Sequence, residues 1–478
     1  MEEYSIQKHI IHLDYSNIHS YNKEKNICSN DGFKAKYGGE NVVLFETALK
    51  WGDIMVKREY MVIDLKSFYA SVECIERGLD PFTTNLVVAD PEREEGTICL
   101  AITPAMKALG VKNRCRIYEI PKSIPYIIAP PRMQLYIDYS AEIYGIYLKY
   151  IAKEDIHVYS IDEAFFDVTP YKEYYQMSAR DIGIMIIDDV YHTTGITATC
   201  GIGTNLYLAK VALDITAKHV SDHIGVLDEE KYCKLLWKHS PLTDFWRIGP
   251  GTAKRLASYG IVNMEELAKA SQYNEDMLYK IFGIDAELLI DHAFGREKTT
   301  MTDIKNYKPQ NNSLSSGQVL MRDYRYEEAR LIVKEMVELL CLDLVDKGLI
   351  TDSISLYIGY SHTAGYPSAR GTVALQTATS SAMTIRPQAA ELFNRIVNRS
   401  IPIRRINICF NRVIDETYKQ YDLFTDPADL EKERRIQQAM IEIKNRFGKN
   451  AVLKGMNLEE GGTTIERNMQ IGGHKSGI

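Results

Sequence analysis

The chain has 478 residues, 45% of them hydrophobic and 25% charged, with a formal net charge of −7. This composition is typical of a soluble globular protein, and the length predicts about three or four domains. Because no uncharged apolar run reaches about 18 residues and the N-terminus lacks a basic stretch followed by an apolar one, we expect neither a membrane span nor a secretory signal.

The cysteines and the distribution of charge further limit the class of protein to which the chain can belong. Eight cysteines are scattered without CxxC or Cys/His ligand spacing. This pattern argues against structural zinc and a disulfide framework, and it suits the reducing cytoplasm. The net charge is not that of a typical nucleic-acid binder, but residues 301–412 hold 14 Lys and Arg against 10 Asp and Glu. Such a basic module is a weak indication of contact with phosphates.

The first part of the chain predicts strands and helices in alternation. Residues 1–55 are polar and aperiodic, and we assign them no chemistry. Residues 60–65, YMVIDL, predict a short buried strand, and a helical pattern follows in SFYASVECIERG. Short strands are predicted at 86–89 and 98–102, and a long amphipathic helix at 132–152.

The later elements predict two further architectural blocks. A hairpin at 156–169 precedes a helix at about 177–193, the strand ITATCGIG and a helix at 205–218. The first strand lies far in sequence from the hairpin with which it could pair. Short helices follow at 241–294, and strands alternate with two helices at 313–412, which predicts a separate α+β domain.

Three carboxylates lie at predicted strand ends. Asp64 closes the first strand, and Asp162 and Glu163 separate the apolar stretches of YSIDEAFFDVT. Buried carboxylates are costly unless their charge is compensated, and together the three could hold Mg²⁺, which prefers oxygen ligands. The alternative is a polar turn at Asp162 and Glu163 with a strand-end cap at Asp64, since turns favour Asp.

Three ordered motifs give these acids a context. IDLKSFYASVE (63–73), SIDEAFFDVT (160–169) and GIGTNLYLAKVALDITAKH (201–219) resemble the Y-family of translesion DNA polymerases, and in particular the UmuC-like (ImpB/MucB/SamB) branch of Gram-positive bacteria, plasmids and phages. The resemblance runs from about residue 60 to 425. It implies a multidomain α+β fold, a right-hand polymerase with a ferredoxin-like palm, small fingers, a helix-hairpin-helix thumb and an α+β little finger. The palm is expected to be a mixed sheet with helices packed on one face.

The resemblance also implies a division into domains. The expected parts are an N-terminal extension of unknown role (1–55), the palm (56–69 and 132–240), the fingers (70–131), the thumb (241–300), the little finger (313–415) and a C-terminal tail (416–478).

The catalytic residues follow from the same resemblance. Asp64, Asp162 and Glu163 match the metal-binding carboxylates that hold two Mg²⁺ ions in this family. Leu65 stands where the family offers a backbone carbonyl to the second metal.

The nucleotide-binding residues are also carried over by resemblance. Tyr69 matches the steric gate, an aromatic ring that leaves no room for a 2′-hydroxyl, and Phe68 is expected to pack beneath the nucleotide. Lys218 resembles the triphosphate-binding lysine, with Lys210 a packing or solvated residue of the same helix. Lys107 stands where many relatives have an arginine, and it supplies charge without the bidentate fork. Taken alone, each aromatic fits a core position and each lysine a solvated surface.

The thumb motif predicts contact with DNA phosphates. FWRIGPGTAKRLASYGI (245–261) looks like a helix-hairpin-helix, in which Gly249 and Gly251 leave backbone N–H groups free to face a phosphate near a helix N-terminus. Lys254 and Arg255 could add charge. An ordinary Gly-Pro turn between helices is the alternative.

Two further features predict partners. In the little finger, arginines of the alternating strands would contact DNA phosphates, with a solvated sheet face as the alternative: Arg370, Arg404, Arg405 and Arg412. QYDLF resembles the pentapeptide that binds the bacterial sliding clamp, with Gln420, Leu423 and Phe424 as the expected contacts.

We therefore predict an error-prone, DNA-directed DNA polymerase without proofreading that acts in a DNA-damage response. Its expected partners are primer-template DNA, dNTPs and the sliding clamp, with a recombinase filament or accessory subunits also possible, and no membrane. The rivals are a palm-domain nucleotide cyclase and a non-catalytic DNA-binding accessory protein. The cyclase would need neither the thumb motif nor the clamp-like peptide, and the accessory protein would not need all three carboxylates.

Overall fold

The computed structural model describes residues 58–93, 96–309, 312–417 and 426–477. The N-terminal extension (1–55) and the clamp-binding-like peptide (420–424) therefore lie outside the described residues. The chain divides into two compact units. Unit 1 holds the described residues up to Ala89, Ile98–Ala129 and Tyr136–Lys308. Unit 2 holds Asp90–Thr97, Pro130–Leu135 and the described residues from Pro309 onward. Within these ranges, no helix combines the length and apolar character needed to cross a bilayer.

Unit 1 is a mixed α and β structure. Its strands are β1 (Tyr60–Leu65), β2 (Leu86–Val88), β3 (Ala101–Ile102), β4 (Ile127–Ala129), β5 (Ile156–Val158), β6 (Glu163–Asp167), β7 (Ala198–Gly203) and β8 (Ile224–Leu227). The α-helices that lie wholly or mostly in unit 1 are α1 (Phe68–Ile75), α2 (Pro104–Ala108), α3 (Met133–Tyr147), α4 (Thr169–Tyr175), α5 (Ala179–Thr194), α6 (Leu206–Val211), α7 (Glu229–Leu236), α8 (Pro250–Ala257), α9 (Met264–Tyr273), α10 (Glu275–Phe282), α11 (Asp285–Ala293) and α12 (Met301–Asn306).

The main sheet of unit 1 has β1 at its centre, in the order β5-β6-β1-β7-β8. β1 pairs antiparallel with both β6 and β7, whereas β7 and β8 are parallel. The predicted pairing of the first strand with the distant hairpin is confirmed, and the register sets Asp64 opposite Glu163. A central strand covered on both sides has little contact with water, which explains the continuous apolar run of YMVIDL.

Helices cover both faces of this sheet, so the prediction that they pack on one face is wrong. On one face α5 approaches closely: a Cβ on Gly183 would lie 3.1 Å from the sulfur of Met61 and 3.3 Å from that of Cys200. On the other face α6 lies against β7, where a Cβ on Gly201 would lie 2.2 Å from the carbonyl oxygen of Ala209. Hydrophobic periodicity does not reveal this second contact, because the contact depends on the absence of a side chain at Gly201.

The predicted helix at 205–218 is interrupted, so that prediction is wrong in part. α6 ends at Val211, a π-helical segment spans Ala212–Thr216, and a 3₁₀ turn spans Ala217–His219. β8 packs tightly here, since a Cβ on Gly225 would lie 2.4 Å from the carbonyl oxygen of Ala212. Short π segments are uncommon and occur frequently at functional sites.

Two smaller parts complete unit 1. The strands β3-β2-β4 form a second sheet, which packs with α2 around a core that includes Val87, Ile102 and Met106. The predicted thumb contains α8 to α11, whose buried residues share one core cluster with α6 and α7. The element before the hairpin of the thumb motif is a 3₁₀ turn, Leu242–Asp244. The element after the hairpin, α8, is a full α-helix.

Unit 2 is built on an antiparallel sheet in the order β11-β10-β12-β9, as the alternation at 313–412 predicted. Its strands are β9 (Leu314–Tyr324), β10 (Leu349–Tyr360), β11 (Ala369–Thr379), β12 (Ile403–Asn411), β13 (Ile414–Asp415), β14 (Gln470–Ile471) and β15 (His474–Lys475). Its α-helices are α13 (Tyr326–Lys347), α14 (Ala382–Ile396), α15 (Pro427–Phe447) and α16 (Thr464–Asn468). α13 and α14 bury one face of the sheet, and the other face remains open.

The residues after α15 fold against α13 through two buried acids. Glu335 accepts hydrogen bonds from the Thr463 backbone N–H at 2.8 Å and from the Asn457 amide at 2.9 Å. Glu338 forms ion pairs with Arg386 and Lys454. Because buried carboxylates need such partners, these bonds fix the C-terminal segment on the helix.

Candidate active site

The three predicted carboxylates meet at one end of the main sheet of unit 1. Asp64 at the end of β1 pairs in register with Glu163 at the start of β6. Asp162 is attached to the same strand end because its carbonyl oxygen accepts a 2.9 Å hydrogen bond from the Leu65 backbone N–H. The Ser160 hydroxyl donates a 2.6 Å hydrogen bond to the Asp162 carboxylate. Backbone pairing therefore holds the acids together across about a hundred residues of sequence.

Burial, and to a lesser extent the crowding of negative charge, raises the pKa values of two of these acids. Burial, followed by the charges of Asp162 and Glu163, raises the pKa of Asp64 to about 7. Burial likewise raises the pKa of Glu163 to about 7, although the neighbouring Lys210 ammonium opposes the shift. Without a cation, the site therefore disfavours full ionisation at neutral pH.

Lys210 compensates part of this charge. Its ammonium lies 2.9 Å from Glu163 Oε2 and 2.9 Å from Asp214 Oδ1, and the side chain is only 9% exposed. The two acids raise the pKa of Lys210 even though burial lowers it, so the lysine remains a cation. The pKa of Glu163 is still raised because the burial of its carboxylate outweighs this single ion pair.

The donor set fits a divalent cation. In the described ranges, no three His, Cys, Asp or Glu side chains are arranged closely enough to hold an ion as they stand. One oxygen of the site nevertheless lacks a ligand: Glu163 Oε1 is buried and has no hydrogen-bond partner. Carboxylate oxygens are the ligands that Mg²⁺ prefers, and a cation there would satisfy this oxygen and lower the raised pKa values of Asp64 and Glu163.

The turn after β1 positions two aromatic residues beside the acids. Ser67 precedes α1 in a left-handed conformation, with φ of 49°, which is uncommon for a residue with a side chain. Phe68 is buried, and its ring centroid lies 5.8 Å from that of the half-buried Tyr69. Burial and the charge of Asp162 raise the pKa of Tyr69 to about 12, so its hydroxyl stays protonated.

Lysines approach the acids from separate elements. The pKa of Lys107 on α2 is lowered, mainly by burial of its ammonium and also by Lys218, although Asp64 opposes the shift. The pKa of Lys66 after β1 is lowered by burial and by Lys107. Lys107 and Lys218, which the sequence proposed as phosphate ligands, therefore share one electrostatic environment with Asp64.

Of the thumb groups predicted to contact DNA phosphates, some are exposed and one already contacts an aromatic ring of the protein. Neither Gly249 nor Gly251 has an atom within 4 Å of the position of an added Cβ, so the backbone at this helix start is open. Lys254 is exposed. The Arg255 guanidinium lies 4.6 Å from the centroid of the Phe282 ring.

Two of the four predicted arginines of unit 2 face acids of the same unit. Arg412 Nε lies 2.7 Å from Asp352 Oδ1, and Arg404 Nη1 lies 3.8 Å from Asp323 Oδ1. Their charge is therefore partly compensated before any ligand binds.

The other two arginines lie on the open face of the sheet. Arg370 is exposed on β11, and its guanidinium lies 5.1 Å from the centroid of the Tyr357 ring on β10. Arg405 is exposed on β12 opposite Gly359. Arg370 and Arg405 are thus better placed than Arg404 and Arg412 to contact phosphates.

Sequence reasoning missed several residues of the site. The sequence does not indicate Lys66 or Tyr136, whose ring stacks on that of Tyr69, and it favours a packing or solvated role for Lys210. For Lys210 a signal existed, because a lysine and an aspartate four residues apart in the apolar stretch LYLAKVALD are unusual for a buried helix. For Tyr136 there was none, since it is one aromatic among many in α3.

Comparison with known proteins gives independent evidence about the family of this chain. The impB/mucB/samB family model matches residues 63–214, and the model of the C-terminal domain of that family matches residues 311–423. The chain is 31% identical to the UV-damage repair protein UvrX of Bacillus subtilis (strain 168) over 423 residues, covering 88% of this chain and 98% of the relative. It is 29% identical to DNA polymerase IV 2 of the same organism, covering 88% of this chain and 100% of the relative.

A solved structure resembles the fold. A Y-family DNA polymerase chimera superposes with a TM-score of 0.58 and 20% identity, covering 75% of this chain and 99% of the chimera. At this identity the likeness concerns the fold, and the predicted multidomain α+β polymerase fold is confirmed.

Proposed function

The chain belongs to the impB/mucB/samB family and is a Y-family DNA-directed DNA polymerase of the translesion class, and from that premise we propose which of its residues carry the reaction. One observation supports the assignment most directly: the pairing of β1 with β6 brings Asp64, Asp162 and Glu163 to one strand end. The nucleotide cyclase and the silent accessory protein are not favoured.

The three carboxylates form the catalytic centre in this proposal. Polymerases of this family generally depend on divalent metal ions. Two Mg²⁺ ions, when bound, would stabilise the attacking and the leaving oxygen of nucleotidyl transfer. Asp64, Asp162, Glu163 and the Leu65 carbonyl would hold them. Lys210 favours the ionised form of Glu163 and orients its carboxylate, and most of the rate would come from positioning and charge neutralisation.

The neighbouring residues bind and select the nucleotide. Lys107 and Lys218 would neutralise the triphosphate, and their shared environment with Asp64 supports this role. Phe68 would support the nucleotide, and Tyr69 would exclude a 2′-hydroxyl.

The primer-template would contact each unit through exposed positive or backbone groups. In unit 1 these are the open backbone at Gly249 and Gly251 and the side chain of Lys254. In unit 2 they are Arg370 and Arg405. Contacts of this kind bind phosphates and carry no sequence information, as a polymerase requires.

The first experiment is primer extension with Mg²⁺ and a single dNTP. We expect wild-type protein to incorporate the nucleotide that the template specifies, and the Asp162→Ala/Glu163→Ala double variant to yield no product. Asp167→Ala, at the other end of β6, is the matched control and should retain activity. Absence of incorporation by the wild type would contradict the proposal and favour a non-catalytic accessory role.

A second experiment tests the sugar gate. Tyr69→Ala should incorporate rNTPs that the wild type rejects, whereas Tyr69→Phe, which keeps the ring, should continue to reject them. Equal rejection by Tyr69→Ala would mean that another residue excludes the 2′-hydroxyl.

The clamp interaction is a separate proposal that rests on the sequence QYDLF. A Leu423→Ala/Phe424→Ala variant should lose binding to the bacterial sliding clamp while keeping clamp-free primer extension. Unchanged clamp binding would remove this peptide from the proposal.

A further inference from the structure

The proposed sugar gate is one half of a pair of stacked aromatic rings. The ring of Tyr69 lies parallel to that of Tyr136 on α3, with centroids 4.5 Å apart and an angle of 15° between the planes. Tyr69 is half-buried, whereas Tyr136 is completely buried. Tyr136 therefore forms a fixed surface behind one face of the gate.

Tyr136 is itself held in place by a buried carboxylate that also pairs with an arginine. Its hydroxyl donates a 2.7 Å hydrogen bond to Glu73 Oε1, and the other oxygen of Glu73 pairs with the Arg77 guanidinium. The Glu73 side chain is 0% exposed. A hydrogen bond to a buried carboxylate is among the stronger ones, so the Tyr136 ring has little freedom to rotate.

A sugar gate works by exclusion, which requires a ring that cannot move aside. Tyr69 is the second residue of a short helix whose N-cap is the left-handed Ser67, and the nearby charge of Asp162 contributes to the raised pKa of its hydroxyl. The parallel stack with Tyr136 restrains the Tyr69 ring across one of its faces, in addition to the tilted contact with Phe68. Because a 2′-hydroxyl adds only one oxygen atom, a small displacement of the ring would make room for it.

We propose that Tyr136, anchored by Glu73 and Arg77, is a positioning residue that sets the sugar selectivity of this polymerase by bracing Tyr69. This inference rests on the proposed role of Tyr69 as the gate. It adds a second determinant of selectivity, which lies on α3 and not on the strand ends that carry the metal-binding acids.

The chain offers a closely matched control. Tyr139 lies on the same helix, and its hydroxyl donates a 2.7 Å hydrogen bond to Glu76 Oε1, so it joins the same two segments as the bond between Tyr136 and Glu73. Only Tyr136 stacks on Tyr69. Substitutions at Tyr136 and Tyr139 therefore each remove one tyrosine–glutamate hydrogen bond between the same segments, buried for Tyr136 and exposed for Tyr139, but differ in their effect on the stack with Tyr69.

The experiment measures the efficiency of rNTP relative to dNTP incorporation opposite one template base. The proteins are wild type, Tyr69→Ala, Tyr136→Leu, Tyr136→Phe, Tyr139→Leu and Tyr139→Phe, and thermal unfolding checks that each is folded. We expect Tyr136→Leu to raise the ratio by about threefold to tenfold, which corresponds to the loss of one aromatic stack. Tyr136→Phe should raise it less, and both Tyr139 variants should match the wild type. The efficiency of dNTP incorporation should stay near that of the wild type in all four variants of Tyr136 and Tyr139.

The outcomes separate this inference from the proposed function. An unchanged ratio in Tyr136→Leu, with a raised ratio in Tyr69→Ala, would overturn the bracing role and leave the gate intact. An unchanged ratio in Tyr69→Ala would overturn the gate itself, and the bracing role with it. If Tyr136→Leu does not fold, Tyr136→Phe decides: a ratio above that of Tyr139→Phe supports bracing, and an equal ratio overturns it.

Discussion

Removal of the Lys210 ammonium tests the electrostatics of the catalytic centre most directly. Lys210→Met keeps the length and apolar stem of the side chain but removes the charge that lies 2.9 Å from both Glu163 and Asp214. Glu163 is then buried beside other acids without its cation. We therefore expect the metal-free protein to be destabilised.

The size of the effect follows from burial. Two unit charges 2.9 Å apart attract by about 6 kcal/mol at an effective dielectric constant of about 20, and desolvation offsets much of this. Breaking a buried pair by removing one partner typically costs about 3–5 kcal/mol. Asp214 is partly exposed, and Glu163 can take up a proton, so we expect a loss of about 3 kcal/mol at pH 8 and less at pH 6.

The assay is urea unfolding in EDTA followed by tryptophan fluorescence, because the described tryptophans, Trp237 and Trp246, lie in unit 1. Lys149→Met is the control, since Lys149 pairs with Asp189 at 3.0 Å but is 55% exposed, and such surface pairs contribute at most about 1 kcal/mol. If Lys210→Met costs no more than Lys149→Met, the proposed charge compensation is incorrect.

Three further predictions concern pH, packing and DNA. Because the pKa values of Asp64 and Glu163 are raised, the folded, metal-free protein binds more protons than the unfolded chain. Its stability should therefore fall as pH rises from about 5 to 8, and Mg²⁺ should stabilise it more at pH 8. Urea titrations with EDTA or Mg²⁺ measure both effects, and a stability that does not change with pH would contradict the pKa values. Gly201→Ala would place a methyl group 2.2 Å from a backbone oxygen of α6, so thermal unfolding should show a large loss of stability, and an unchanged midpoint would mean that α6 can move away. Arg405→Ala should weaken DNA binding and reduce its salt dependence more than Arg404→Ala, measured by fluorescence anisotropy across a salt series, because Arg404 already faces an acid; equal effects would exclude this distinction.

The sequence by itself determined the local elements and the chemical candidates. The apolar run of β1, the hairpin around Asp162 and Glu163, and the alternation in unit 2 are local patterns that report burial and period directly. The ordered motifs then identified Tyr69 and the acids by resemblance. These features are set by residues close together in the chain, and one sequence is enough to find them.

The tertiary structure alone decided which side chains meet. The register of β1 with β6 sets Asp64 against Glu163, and the close approach of α6 at Gly201 brings Lys210 to the same acids. In the same way, α3 brings Tyr136 onto Tyr69 from 67 positions away in the chain. Hydrophobic periodicity records whether a residue is buried but not which distant residue covers it. The partners that set charge and orientation at the site therefore became visible only in the folded chain.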